Sequence, residues 1–273
     1  MIDALHYEWA RIRSIRSTYW IIAVAMLIGI GLSFLISMGS SIAYRNEAPS
    51  SVELDFLAPA IVTQFAAVAG PYLIAYVLVI IGVLAWGHEY RFGLIRTTLT
   101  AHNSRAAIWA AKYVVVAVWV LAATVVVLVG STLVGWAWLG DDGVRFSGAP
   151  LWSQYGRTLL YMLLFTWIGT AAASIIRNQT AALVVVFLWP LAIEPILGLM
   201  MKLIPGLDSL DDLSKAFPFN AGDRLIRSTE VGKALDAVLG GAQLSTAAGT
   251  AIFAGFAAVL MLISYLLFVK RDA

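Results

Sequence analysis

Cysteine is absent from this 273-residue sequence, which excludes disulfide bonds, thiolate metal sites and a thiol nucleophile. Charged residues are also scarce. Asp, Glu, Lys and Arg make up 12% of the chain, whereas about a quarter is usual in a soluble domain. The formal net charge of +2 is too small to suggest binding to nucleic acid. Hydrophobic residues account for 61% of the chain, so most of it is expected to lie in lipid.

The sequence motifs of several enzyme classes are missing as well. No G-x-x-x-x-G-K-[ST] phosphate loop is present, so the chain is not expected to hydrolyse ATP by that mechanism. The three histidines, His6, His88 and His102, have no metal-binding spacing such as H-E-x-x-H. The G-x-S-x-G nucleophile motif of hydrolases is also absent. We therefore expect no enzyme activity, no metal and no cofactor in this chain.

Six apolar runs are long enough to cross a bilayer, which requires about 20 apolar residues in a helix. They cover residues 19–38, 58–86, 106–139, 159–176, 180–203 and 247–269. The sequence predicts an all-α integral membrane protein with six transmembrane helices in a single domain, residues 1–273. The first run is longer than the apolar core of a cleaved signal peptide, about 7–15 residues, so we expect it to remain as the first helix.

Basic residues in the short loops predict the orientation, because Lys and Arg resist translocation across the membrane. An inside amino terminus places most of them on the cytoplasmic side: Arg11, Arg13, Arg16, Arg91, Arg96, Arg105, Lys112, Arg177, Lys270 and Arg271. The opposite short loops contain only Arg45, Arg145 and Arg157. We expect a multi-pass protein of the cell membrane with both termini in the cytoplasm and an extracytoplasmic loop at residues 204–246.

Residues 1–17 are predicted to form an amphipathic interfacial helix ahead of the first span. Leu5, Trp9 and Ile12 fall on one stripe at helical spacing, while Arg11 lies off it. Such a helix anchors a protein to the membrane surface, with its basic residues facing lipid phosphates. Contact with a partner protein is the alternative that the sequence leaves open.

Residues 87–105, between the second and third spans, form the most distinctive cytoplasmic loop. Apolar residues recur there at helical spacing with charges on either side: Glu89, Arg91, Phe92, Ile95, Arg96 and Leu99. The pattern predicts a short amphipathic helix over residues 89–99, lying parallel to the membrane, which can insert into a groove on a soluble partner. The alternative is a solvated basic loop that only fixes the topology. Asn103 or Ser104 is expected to cap the next helix.

Glu194 is the only carboxylate within the six apolar runs. Because a charge in hydrocarbon is costly, such a residue usually faces the bundle interior or water, and it is a candidate for the substrate path or for gating. A structural polar contact is the alternative. Pro190 and Pro195 on either side of it break the helical hydrogen-bond ladder. Gln64 in the second run is a weaker candidate of the same kind.

The pattern Glu-Tyr-Arg-x-Gly-x-Ile-x-x-Thr-Leu at residues 89–99, followed by Ser-Arg, resembles the loop between the second and third helices of ABC-2 type exporter permeases. The amino-terminal Glu8-Trp9 pair and the arginines after it are similar to the elbow helix before the first span of that family. Residues 217–222, Phe-Pro-Phe-Asn-Ala-Gly, also look like a familiar feature. The resemblance extends over the whole chain in layout, and its specific motif is the loop.

The resemblance implies that residues 89–99 are a coupling helix docked on a separate nucleotide-binding subunit. Glu89 and Arg91 would then sit at the partner interface rather than in the bundle, and Gly93 would allow a close approach. The implied docking residues are Glu89, Tyr90, Arg91, Phe92, Gly93, Ile95, Arg96 and Leu99. The resemblance further implies an exporter of two permease units, identical or related, with two ATPases that bind the ATP and Mg²⁺. Residues 196–204 would form a re-entrant helix.

Two other classes of function stay open at this stage. A membrane structural or assembly protein, or an immunity-type protein, would bind a partner without transport. An intramembrane enzyme is disfavoured by the missing catalytic motifs. The substrate of a transporter is not predicted, because an apolar cavity lined by Leu, Val and Ala would suit drugs, lipids or amphipathic peptides equally.

Overall fold

The structure, a computed structural model, describes residues 1–44, 51–64, 72–101, 104–203, 211–226 and 244–270. Every regular element in these ranges is helical. In chain order they are α1 (Ile2–Ser14), α2 (Arg16–Tyr44), α3 (Ser51–Val62), α4 (Leu73–Arg91), α5 (Ile95–Ala101), α6 (Arg105–Leu139), α7 (Ala149–Ile176), α8 (Gln179–Leu188), a π-helical turn (Trp189–Ile193), α9 (Glu194–Leu203), α10 (Asp211–Lys215), α11 (Pro218–Gly222), a 3₁₀ turn (Asp223–Leu225) and α12 (Thr246–Lys270).

Six helical segments of the described chain are long and apolar enough to cross a membrane. They are α2, α4, α6, α7, the continuous segment Gln179–Met201 and α12. The all-α prediction is thereby confirmed for the described residues, and the six segments fit a multi-pass membrane protein. Three of the helix starts in the described ranges have side-chain caps: Ser104 Oγ accepts the N–H of Ala107 at α6, Asn178 Oδ1 accepts the N–H of Ala181 at α8, and Ser245 Oγ accepts the N–H of Ala248 at α12. The predicted cap at Ser104 is therefore confirmed.

The predicted second span, residues 58–86, is wrong as a single helix. Its first part belongs to α3, which ends in a turn at Gln64, and the membrane-crossing helix α4 begins at Leu73. Gln64 has a φ of 54°, in the left-handed region that a right-handed helix cannot contain. The sequence also carries a Gly-Pro pair at residues 70–71, and a residue before proline is disfavoured in α-helical geometry.

The predicted helix over residues 89–99 is also interrupted. Helix α4 runs on to Arg91 and ends in a Schellman motif, in which Gly93 N–H donates to Tyr90 O and Leu94 N–H donates to Glu89 O. Gly93 has a φ of +67°, the left-handed conformation that this motif requires and that glycine adopts without strain. Gly93 therefore ends one helix, and the next, α5, starts at Ile95.

The amino-terminal segment makes a corner before the first span. Helix α1 ends at Ser14, and the extended backbone of Ile15 (φ −85°, ψ 113°) separates it from α2. Ala4, Glu8 and Ile12 form its buried stripe, packed toward α6. Trp9 is 41% exposed and lies against the ring of Trp119. The predicted separate helix is present, while its position at a membrane surface stays a prediction.

Helices α4 and α7 form the centre of the bundle. They approach closely because glycine replaces a side chain at the contact: a Cβ at Gly82 would overlap Thr170, and one at Gly169 would overlap Val79. The outer helices α2 and α12 and the segment Gln179–Met201 present largely exposed apolar surfaces. The arrangement suits a bundle whose outside is solvated by lipid.

Two predictions concern the region between the last two spans. Helix α9 continues α8 through the π-helical turn, and Pro190 lies in that turn. A re-entrant course for residues 196–204 stays a prediction. The predicted loop at 204–246 lies largely outside the described residues, which include 211–226 and 244–246 of it.

Candidate functional site

Four charged side chains meet at the end of the bundle next to α5. Lys112 of α6 lies at their centre, with Nζ 2.7 Å from Glu8 Oε1 and 2.6 Å from Glu89 Oε1. Arg11 adds a second bridge, 2.6 Å from Glu8 Oε2 and 3.0 Å from Glu89 Oε1. Both cations also donate to the carbonyl oxygen of Ala85 in α4, at 2.8 and 3.1 Å. We call Glu8, Arg11, Glu89 and Lys112 the ion cluster.

The ion cluster is buried and electrically balanced. Lys112 and Glu89 are 0% exposed and Glu8 is 1% exposed, while Arg11 is only partly accessible. Two positive and two negative charges cancel, which is the condition under which charges tolerate a low-dielectric interior. Because its members belong to α1, α4 and α6, the cluster joins three elements that are far apart in sequence.

Local helical geometry explains why these residues converge. Glu8 and Arg11 are three residues apart and share one face of α1. Ala85 and Glu89 are four residues apart and share one face of α4. Lys112 lies two turns into α6, where an unpaired ammonium group in an apolar span would be costly. The cluster supplies its counter-charges.

An aromatic layer extends the cluster toward α12. The ring of Trp86, fully buried in α4, lies 4.9 Å from Lys112 Nζ, a cation–π distance. Trp86 stacks on Tyr90, with centroids 6.1 Å apart, and meets the edge of Phe268 at 4.7 Å. The guanidinium of Arg177 lies 5.6 Å from the Tyr90 ring centroid. Through these contacts the end of α4 touches both α12 and the α7–α8 turn.

The structure separates the sequence-predicted docking residues into two groups. Glu89 lies in the bundle, which corrects its expected place at a partner surface: its carboxylate is held by the cations of the ion cluster. Ile95 is also buried, packed with Val83, Trp86 and Ile108, so it does not share an exposed face with Phe92. Leu99 is half-buried beside the same group.

The exposed residues of this segment form a small surface. Arg91, Phe92, Gly93, Leu94 and Arg96 are all exposed, with Phe92 63% and Leu94 46% accessible. We call these five residues the exposed turn. It offers two apolar side chains between two arginines, and it begins two residues after Glu89 in the chain. Leu94 was missed by the sequence analysis because its position does not fit the helical period that predicted the others.

Sequence reasoning also missed Lys112 and Glu8 as parts of the site. Lys112 counted there only as a basic residue that fixes topology. The position of Lys112, six residues into an apolar run, could have indicated its role, because a lysine there requires a counter-charge. The partners could not be read from the sequence, because Glu8 lies 104 residues away from Lys112 and Glu89 lies 23 residues away.

Glu194 lies at a second polar site, near the opposite ends of α7 and α12. Its carboxylate is 2% exposed and accepts four hydrogen bonds. Oε1 accepts from Trp189 Nε1 at 3.1 Å and from Phe219 N at 3.2 Å, and Oε2 accepts from Phe219 N at 3.1 Å and Asn220 N at 2.9 Å. These backbone N–H groups lie in the first turn of α11, where no helical partner exists. The carboxylate therefore fastens α11 to the start of α9.

Gln64, the other predicted polar candidate, lies in the turn after α3. It is 6% exposed, and its Nε2 donates to Val62 O at 3.3 Å. The structure does not bring it together with Glu194 through any described hydrogen bond. In the ranges given above, no group of three or more His, Asp or Glu side chains is placed to hold a metal ion.

Comparison with models of known protein families finds no match to this chain, and comparison with curated proteins finds none either. The features of the chain that point to a function are therefore its sequence motif and its two polar sites.

Proposed function

We propose that this chain is the membrane-spanning permease subunit of an ATP-binding cassette exporter, coupled through its exposed turn to a separate ATPase. The observation that carries the proposal is the ion cluster placed directly before that turn. Glu89 is held by Lys112 and Arg11, and two residues later the chain reaches the arginine that begins the exposed turn. A force applied there reaches three helices through short, charged contacts.

The ion cluster links α1, α4 and α6, and we expect these three helices to move as one body. Opposite charges in a low-dielectric environment attract more strongly than at a wetted surface, and separating them leaves uncompensated buried charges. Displacing the end of α4 therefore draws α1 and α6 with it. Rigid-body motion of helix groups is a common way to alternate between two conformations. In the proposed transporter, ATP-driven closure of the ATPases supplies the displacement.

The exposed turn has the composition of a docking surface. Phe92 and Leu94 can enter an apolar groove, and Arg91 and Arg96 can pair with acidic residues around it. The partner is an ATPase that binds ATP and Mg²⁺, and a second permease copy, identical or related, completes the complex. The proposal places α1, the exposed turn and both termini in the cytoplasm of a cell-membrane protein, in agreement with the distribution of Lys and Arg.

Replacing Phe92 by alanine is expected to reduce recovery of the ATPase about tenfold, because an aromatic anchor that becomes buried in an interface contributes more than the other contacts. The protein is solubilised from its native membrane and pulled down, and its partners are identified by mass spectrometry and ATPase assay. Wild-type protein should bring down an ABC-type ATPase in equal molar amount.

Trp152→Ala is the matched control, because Trp152 is an equally exposed aromatic residue at the start of α7, remote in sequence from the turn. It should retain the ATPase. If the wild-type protein brings down no ATPase, or brings down a different partner, the transporter proposal fails and a binding or assembly function takes its place.

A further inference from the structure

We propose that a crevice between α7, α8 and α12 binds one acyl chain of a membrane lipid, with the lipid head group at an adjoining polar cavity. The crevice has a volume of about 240 Å³, and its accessible lining is wholly apolar. Ile168 and Ala172 of α7, Val185 of α8, and Phe256 and Leu260 of α12 contribute to it. The site stands whether or not the chain transports a substrate.

The chemistry and size of the crevice select an apolar occupant. A water molecule needs two to four polar partners, and the accessible lining offers none. An apolar protein cavity of about 150 Å³ stays dry and admits benzene, and this one is larger. The crevice is bounded by segments that are apolar enough to cross a membrane, so the apolar molecule around it is lipid.

The end of the crevice adjoins a polar cavity. Trp189 and Phe219 line the crevice, and both donate hydrogen bonds to Glu194. Glu194 in turn lines a second, more open cavity of about 290 Å³ together with Ser214 and Asn220. The apolar crevice and the polar cavity thus lie on two sides of one hydrogen-bonded group, Trp189, Phe219 and Glu194, which brings an apolar and a polar site within reach of the same amphiphile.

A helix from a second copy of the chain fits this crevice less well. Membrane helices associate through small residues that let their backbones approach, whereas bulky side chains such as Val185, Phe256 and Leu260 border the crevice. Another face of α12 carries small exposed residues, Ala251 and Gly255. A Cβ added at Gly255 would meet no atom within 4 Å. That face suits a helix partner better, and the crevice suits a flexible alkyl chain.

The polar cavity also indicates which head group fits. Its described lining includes one carboxylate, that of Glu194, and no Lys or Arg. An ammonium group is attracted by that charge, and an anionic head group without an ammonium is repelled. We therefore assign the site to a phospholipid with an ammonium-bearing head group, such as phosphatidylethanolamine, in preference to phosphatidylglycerol.

The test uses the full chain reconstituted in vesicles of phosphatidylethanolamine with a photoactivatable diazirine in one acyl chain. After extraction into detergent and washing, the sample is irradiated and the labelled residues are mapped by mass spectrometry. The proposal predicts that the bound lipid survives washing and then labels Val185, Phe256 and Leu260. Leu262, which is 57% exposed on the outside of α12, should carry no label, because washing removes the bulk lipid around it.

Variants that fill the crevice should remove the retained label. Ala172→Phe on α7 and Val185→Phe on α8 each place a bulky side chain in the crevice and are expected to lower crevice labelling about tenfold. Val184→Phe is the matched control, since Val184 is exposed on α8 outside the crevice. Labelling of the crevice residues in this variant should equal that in the wild type. Absence of crevice label from the washed sample, or unchanged labelling in both filled variants, would overturn the proposal. Capture of a second copy of the chain by crosslinkers at these residues would overturn it as well. Equal retention of phosphatidylglycerol would overturn the head-group assignment.

Discussion

Lys112→Met is expected to destabilise the protein by roughly 3–5 kcal/mol, the cost of removing one partner from a buried ion pair. Methionine preserves most of the side-chain volume but leaves two buried carboxylates facing Arg11 alone. The loss should appear as a lower midpoint of unfolding when sodium dodecyl sulfate is titrated into mixed micelles and followed by circular dichroism. Lys270→Met, which removes an exposed lysine at the end of α12, should leave the midpoint unchanged.

A double variant separates charge balance from packing. Glu89→Gln together with Lys112→Met leaves the ion cluster neutral, with Glu8 and Arg11 still paired. The double variant should lose clearly less stability than the sum of the two single variants, because residues in one network do not contribute additively. Additive losses, or a Lys112→Met midpoint equal to that of the wild type, would show that the cluster does not hold the three helices together.

Glu194→Leu is expected to release α11 from α9. The substitution leaves the N–H groups of Trp189, Phe219 and Asn220 without their acceptor, at about 1–3 kcal/mol for each donor that stays buried. The absence of native cysteine provides a direct readout, since a cysteine at Ser214, which is 6% exposed, becomes the only thiol. Its reaction with a maleimide should accelerate about tenfold or more when α11 detaches.

Two controls accompany this measurement. A cysteine at Leu213, which is 52% exposed, should react rapidly with and without the substitution. Glu194→Gln retains one oxygen acceptor and should give an intermediate rate. A Glu194→Leu variant whose Ser214→Cys thiol reacts no faster than before would contradict the fastening role of the carboxylate.

The membrane-crossing helices were predictable because lipid imposes a single rule, a long apolar run. The third run was predicted at residues 106–139 and is observed as Arg105–Leu139, since Ser104 marks the start of the helix by capping it. The second run shows the limit of that rule. Hydrophobicity does not reveal a break between two apolar helices, and the helix end at Gln64 comes from a backbone conformation, not from a polar segment.

The sequence indicated that residues 89–99 form a distinctive loop, but it did not predict which of their side chains are exposed. A helical period through Phe92, Ile95 and Leu99 assumed continuous helix, whereas Gly93 ends α4 and turns these side chains in different directions. Glycine at such a position was a readable signal for a helix end. The ion cluster was not predictable in the same way, because it depends on three helices packing together across more than 100 residues of chain.

Site-specific photo-crosslinking from the exposed turn tests the proposed coupling most directly. A cysteine introduced at Arg96 in this cysteine-free chain is modified with a photoactivatable maleimide and irradiated in native membranes. The account predicts a covalent product with an ABC-type ATPase, and no such product from a cysteine at Trp152. A product with a different protein, or no product from the exposed turn, would contradict the assignment of this chain as a coupled permease.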